Sequence, residues 1–482
     1  MKRTLFTLLF FLSIQMISFA EGGHRIEVKV EGLDQKEAYL GYHYGEKQYI
    51  RDTAYITDKG TFVFEGDEPL EGGVYLFVMP PDNNFFQLLV SEDEQNYTVH
   101  TKLEDMIGNV KIENAPDNRL FYDYMQFLAS MRPRGEALNQ SLEAAADDAE
   151  RESLRRDMAK LSEEVTAYQQ KLIEKHPNTL TAAIVSSAIE VEIPAFEGKD
   201  ADFDRWQWVK RHWFDGINMG DSRLLRSPVL FGKIDHYMNK LTAQHPDSII
   251  QGVDYILGLL EPSEESFKYY LIHFLNEYAK SKIVGFDAVY VHLAENYYAK
   301  GKAPWTEEEQ LSKIVKNAKT LKPILIGKTA PDITVYNKGG DPISLHKLDV
   351  PFTVLFFWDP ECGHCKKSMP DMLAFHEKYK AKGVEVFAVC TKTGSGVDKC
   401  WETIEEKEMG RWINATDQWL RSRYKTIYDV RTTPQIFILD ENKTILSKRI
   451  AAEQLEEVMD QLIKIKTGEE QIKSSEGEGD KR

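Results

Sequence analysis

The chain has 482 residues, of which 42% are hydrophobic and 28% charged. That is enough for about three folded domains, and it excludes a single small binding module, a collagenous chain and a wholly disordered one. Lys and Arg number 60 against 77 Asp and Glu, a net charge of −17, or −19 once Lys2 and Arg3 leave with the first twenty residues. A surface of that sign repels phosphate backbones, so nucleic acid is not an expected partner.

Lys2 and Arg3 precede an uncharged stretch from Leu5 to Ile17, and Ser18-Phe19-Ala20 places small residues before a cleavage point. Residues 1–20 therefore read as a cleaved secretory signal, with a retained membrane anchor as the alternative. The apolar stretch falls short of the roughly twenty residues that span a bilayer. All four cysteines, Cys362, Cys365, Cys390 and Cys400, lie in the last third, so no lipid can be attached at a new N-terminal cysteine. The chain ends Gly479-Asp480-Lys481-Arg482, which lacks the retention signal of the endoplasmic reticulum. The expectation is a soluble exported protein of the periplasm or cell envelope.

Residues 21–115 alternate: Ile26, Val28 and Val30, then Tyr39 and Leu40, Phe62 to Phe64, Val74 to Val78 and Phe85 to Val90. Turn signals such as Asp58-Lys59-Gly60 separate the runs, which predicts an antiparallel β-sandwich or barrel acting as an accessory module. Residues 116–325 shift to long amphipathic helices rich in Ala, Glu, Leu and Lys, for example Glu143 to Lys175. Two segments there echo each other, 173–180 and 241–249. In each, a Pro is expected to end one helix, and Thr179 or Ser248 to cap the next. The aromatic cluster Trp206, Trp208, Trp213 and Phe214 reads as core. From 326 to 466 strands and helices alternate around the apolar run Phe352 to Trp358, which predicts an α/β domain with a central sheet. Residues 467–482 are polar and rich in Gly, Ser and Glu, and are expected to be disordered.

The chemistry lies in Cys362-Gly363-His364-Cys365, directly after that apolar strand and at the start of a helix, the context in which C-x-x-C means redox. A thiolate at a helix N-terminus is stabilised by unpaired backbone N–H groups and the positive end of the dipole. Cys362 is thus the expected nucleophile, and Cys365, one turn in, the resolving thiol. His364, when protonated, favours the thiolate and makes the couple more oxidising. Lys366 and Lys367 act in the same sense and Asp359 and Glu361 against it. A zinc site would need a second pair at metal-ligand spacing, and Cys390 and Cys400 have nine residues between them. These two are expected to be free buried thiols, with a disulfide as the alternative.

Trp358 to Lys366, Pro370, and Thr433-Pro434 before the strand Gln435 to Asp440 resemble the thioredoxin fold. The entry Gly327 to Ile333 and the insert Cys400 to Asp417 are similar to its TlpA/ResA-like exported branch. The regions ahead of residue 326 resemble the accessory domains of unassigned function that precede such modules in Bacteroidetes envelope proteins. The resemblance implies that Pro434 is a cis-proline packed against the disulfide and that Thr433 offers its backbone to an extended substrate segment. It implies that Pro370 kinks the active-site helix and that Trp358 lies beside the sulfurs, core packing being the alternative. Two departures stand out. Phe356 occupies the position where many thioredoxins bury a proton-accepting Asp, and Glu361 replaces the aromatic residue common before the first cysteine.

The sequence thus points to an exported thiol-disulfide oxidoreductase that reduces protein disulfides, needs no cofactor, and depends on a membrane or envelope redox partner. A disulfide oxidase or isomerase is the runner-up. A peroxidase is disfavoured because no Thr precedes Cys362 as in peroxiredoxins. A scaffold protein carrying a passenger redox module is the alternative from another class.

Overall fold

The computed structural model describes residues 22–189 and 191–468. The expected signal segment lies outside them, as does the expected disordered tail except for Thr467 and Gly468. The chain divides into two compact units. One comprises the described residues up to Leu241 with Gly258–Phe267, the other Thr242–Leu257 and the described residues from Lys268 onward.

In the first unit the strands are β1 (His24–Glu31), β2 (Glu37–Tyr44), β3 (Lys47–Tyr55), β4 (Phe62–Gly66), β5 (Gly73–Met79), β6 (Asn84–Val90), β7 (Asn96–Lys102) and β8 (Lys111–Glu113). They form two four-stranded sheets, ordered β4-β1-β7-β8 and β3-β2-β5-β6. Alternation buries Ile26, Val28 and Val30 of β1 on one face. Phe62 and Phe64 of β4 meet Phe77 of β5 edge-on, with centroids 5.5 and 6.1 Å apart, so the two sheets share a core. The pairing is antiparallel as expected except between β1 and β7, which run parallel. Strand β3 escapes a pattern search because it is an edge strand, exposed along most of its length.

Helices follow: α1 (Pro116–Ala144), α2 (Asp148–Lys175), α3 (Leu180–Ala188), α4 (Ala201–His212) and α5 (Pro228–His236). Buried Asp117 at the start of α1 accepts from the N–H groups of Leu180 and Thr181, at 2.7 and 3.1 Å, and so caps α3 from outside. The helix expected over 143–175 is two helices, because Asp147 accepts from Glu150 N and starts a new one. Thr179 caps α3 as expected. Ser248 does not cap, since α6 (Pro246–Leu260) begins at the proline, whose missing N–H suits a first helical position. The aromatic cluster is not core: α4 buries no residue, Trp206, Trp208 and Trp213 are half-buried, and only Phe214 is inside. Trp213 instead carries Lys233 over its ring at 4.4 Å and stacks on His236.

The second unit contains α8 (Asp287–Leu293) and α9 (Glu308–Leu321), α7 (Glu264–Lys280) lying mostly within it, and then the α/β region. Its strands are β9 (Thr334–Tyr336), β10 (Pro342–Ser344), β11 (Phe352–Trp358), β12 (Val384–Cys390), β13 (Ile413–Thr416), β14 (Gln435–Asp440) and β15 (Ile445–Lys448). The sheet order is β10-β9-β13-β12-β11-β14-β15, with β11, β12 and β13 mutually parallel and the remainder antiparallel. The helices are α10 (Gly363–Tyr379), α11 (Val397–Glu406), a single turn α12 (Tyr424–Ile427) and α13 (Leu455–Thr467). Every residue of β11 is buried, as a central parallel strand covered on both faces requires. After β13 only the single turn α12 is helical before β14, because buried Asp417 accepts from the N–H groups of Arg421 and Ser422 and holds a turn there.

Cys390 and Cys400 are not free thiols. They form a disulfide between the end of β12 and α11, with both residues fully buried. The strand end and the helix face each other across the core at a Cα separation of 6.2 Å, a proximity that spacing along the chain does not encode.

A buried ion pair ties the sheet to α8. Lys448 of β15, its side chain 2% exposed, pairs with Asp287 and also donates to the carbonyl of Ile324 at 2.6 Å. Burial pushes the Lys448 pKa down, and Asp287 acts against that fall. Removing the carboxylate leaves a buried ammonium without a counter-charge. Asp287→Ala is therefore expected to destabilise the protein by about 3–5 kcal/mol in chemical denaturation, and Lys448→Met, which removes the charge itself, by less. Equal losses would contradict this account.

Candidate active site

The site is built where β11 ends. After Trp358 the chain turns through Asp359-Pro360-Glu361 and enters α10 with Cys362 as its N-cap residue. The first N–H groups of a helix have no partner within it, and here the sulfur of Cys362 takes one, from Cys365 N at 3.4 Å. The same sulfur donates to the carbonyl of Thr433 at 3.1 Å. The Thr433-Pro434 peptide bond is cis. Cys362 is half-buried and Cys365 is buried, and both are unoxidised.

The two thiols are driven apart in acidity. Burial acts to raise the Cys362 pKa, but hydrogen bonds with the N–H of Cys365, with Thr433, with the thiol of Cys365 and with the N–H of His364 together outweigh it, so the thiol lies below its ordinary value. Burial pushes Cys365 up to about 12, although the N–H of Asp359, 3.5 Å from its sulfur, favours its thiolate. One sulfur is thus reachable and readily ionised, and the other is shielded and held protonated.

The remaining expected site residues fall into two groups. Pro434, Thr433 and His364 line a cleft of about 1010 Å³ that also carries Lys367 and Asp371 of α10 and Arg431 opposite. Gly363 leaves the helix mouth open, for a Cβ there would meet nothing within 4 Å. Trp358 instead sits fully buried in the core cluster that contains Cys365, and in register beside Cys390. Phe356 is also fully buried, edge-on to Trp412 with centroids 6.2 Å apart, so that strand position supplies no proton acceptor. Pro370 lies within α10.

The opposition between acids and bases around Cys362, open from the sequence, has a geometric answer. Lys392 lies 3.2 Å from Asp359 and also pairs with Glu361, and Lys399 reaches the other oxygen of Glu361 at 2.7 Å. Hydrogen bonds from these two lysines hold the Glu361 carboxyl down at about 2. Sequence reasoning missed both, since they lie more than thirty positions beyond Glu361. Their only signal was position, Lys392 two residues after Cys390 and Lys399 next to Cys400. Among the described residues no group of three His, Cys, Asp or Glu side chains is placed to hold a metal ion, and no helix is long and apolar enough to cross a membrane.

Residues 325–463 match the Redoxin family, residues 24–121 a domain of unknown function (DUF4369) and residues 146–322 another (DUF5106). The thiol-disulfide oxidoreductase ResA of Bacillus cereus is 30% identical over 146 residues, covering 29% of this chain and 78% of ResA. A domain of a possible thiol-disulfide isomerase from Cytophaga hutchinsonii is 34% identical, covering 30% of this chain and 97% of that domain, with a TM-score of 0.28. A thioredoxin-like protein from Bacteroides caccae is 20% identical, covering 56% of this chain and 99% of that one, with a TM-score of 0.43. With a helix-capping cysteine, a buried partner one turn away and a sequence match spanning most of ResA, the chain belongs to the ResA-like thiol-disulfide oxidoreductases of the Redoxin family, preceded by two domains of unknown function.

Proposed function

We propose that the protein is exported to the cell envelope and there reduces disulfides of other proteins through Cys362 and Cys365. The observation that carries thiol–disulfide exchange at this pair is the inequality of the thiols, one half-exposed with a lowered pKa, the other buried with a raised one. The Cys362 thiolate attacks one sulfur of a substrate disulfide, the first substrate thiolate leaves, and a mixed disulfide forms. Cys365 then loses its proton and attacks the sulfur of Cys362, releasing the second substrate thiolate. Two electrons pass to the substrate and the enzyme is left with a Cys362–Cys365 disulfide, which a dithiol partner in the envelope reduces. The carbonyl of Thr433, beside the attacking sulfur, is positioned to pair with an extended substrate backbone.

Disulfide oxidation is the second reading, and the stabilised Cys362 thiolate favours it, because a stabilised reduced form makes the couple more oxidising. Equilibration with glutathione separates the two: a strongly reducing potential is expected, and one near the oxidising end removes the reductase assignment. Cys362→Ser is expected to abolish insulin reduction, while Cys365→Ser traps a mixed disulfide with the natural client. Wild-type turnover by Cys362→Ser would instead make the redox module a passenger on a scaffold protein.

The acidity of Cys362 sets the pH dependence. As pH falls through its midpoint the thiolate is protonated and attack slows, so alkylation of Cys362 should follow a single ionisation below about 8.5, the free-cysteine value, with Cys365 protonated throughout. A midpoint at or above that value contradicts the helix-terminus argument. Export rests on the N-terminal segment alone: the mature protein is expected in the periplasmic fraction, beginning at Glu21. Recovery in the cytoplasm with Met1 retained would remove it.

A further inference from the structure

Asp359 and Glu361 stand in the loop immediately before Cys362, where free carboxylates oppose formation of a thiolate. Neither is free. Lys392 stands between them, with its side chain and that of Asp359 about three-quarters buried (23% and 22% exposed), which weakens solvent screening of that pair. Lys399 closes the other side of the more exposed Glu361. The two lysines flank a single covalent anchor, since Lys392 follows Cys390 by two residues and Lys399 adjoins Cys400, and these cysteines are joined. The anchor is registered to the redox loop: Cys390 pairs with Trp358, the residue before Asp359, and Thr391 N donates to the Trp358 carbonyl at 2.8 Å.

We propose that Lys392 and Lys399 are positioning residues for Cys362, holding the Asp359 and Glu361 carboxylates in ion pairs so that their negative charge does not oppose the attacking thiolate. Neither lysine touches substrate in this role. It rests on the reading of Cys362 as the nucleophile, so its test measures ionisation and not turnover. The other charged or titratable groups around the sulfur are Cys365, His364, Lys366, Lys367 and Asp371 on α10, with Asp429 and Arg431 from the loop before Pro434. All but Cys365 stay constant across the variants below.

In full-length Cys365→Ser protein, where Cys362 is the one unpaired thiol, ultraviolet thiolate absorbance gives its midpoint directly. Adding Lys392→Met with Lys399→Met is expected to raise that midpoint by about half to one pH unit, the order of effect of an unmatched unit charge in a partly wet site. Adding Asp359→Asn and Glu361→Gln to that variant should return it to the starting value. A midpoint that never moves, or that moves and is not restored, would falsify the proposal, the second outcome marking a structural role only. Glu361→Gln alone changes an exposed side chain and leaves both lysines unpaired with it, so the midpoint should fall, and an unchanged or higher value also overturns the proposal. Insulin reduction is scored separately on otherwise wild-type protein: its absence there counts against the reductase reading and leaves the midpoints to decide this one.

Discussion

The backbone N–H of Cys365, pointed at the sulfur of Cys362, is the contact on which the chemistry of this protein depends. It exists because β11, buried on both faces, must end at the edge of the sheet, and a helix begins there with its first N–H groups unsatisfied. The neighbours of β11 deliver the rest of the site to that edge by topology. Parallel β12 ends beside it, so Cys390 and Thr391 arrive next to Trp358. Antiparallel β14 starts beside it, Gln435 opposite Phe357, so Thr433 and Pro434 necessarily lie against Cys362.

Electrostatics refine what the backbone provides. A chain of net charge −17 is a poor setting for a thiolate, and two of its acids sit in the very loop that leads into Cys362. Their charges are matched locally by Lys392 from the loop after β12 and Lys399 of α11, and solvent screening leaves such near pairs more weight than the overall charge. The buried partner thiol follows the opposite rule, desolvation holding it protonated.

The Cys390–Cys400 disulfide illustrates the limit of reading spacing. From sequence Cys390 and Cys400 read as free thiols on a strand and a helix, with a disulfide only as the alternative, yet packing brings them face to face within the cluster that contains Cys365 and Trp358. The buried Lys448 pairing with Asp287, 161 residues away in the chain, is of the same kind. Both are contacts between elements whose local sequences carry no trace of each other.

Hydrophobic period and helix-start chemistry are local, and so the sequence by itself determined the β-rich opening, the helical middle, the central strand Phe352 to Trp358 and the placement of Cys362 at a helix N-terminus. Exposed β3 and the split between α1 and α2 were not legible, since one has no buried face and the other turns on the capping choice of Asp147. The Trp206 cluster misled because aromatic content does not say which side of a helix is covered. Only the tertiary structure decided that Cys390 and Cys400 are joined, that Trp358 is core beneath the site, and that Lys392 and Lys399 answer Asp359 and Glu361. Burial and charge pairing act through space, and distance along the chain does not report them.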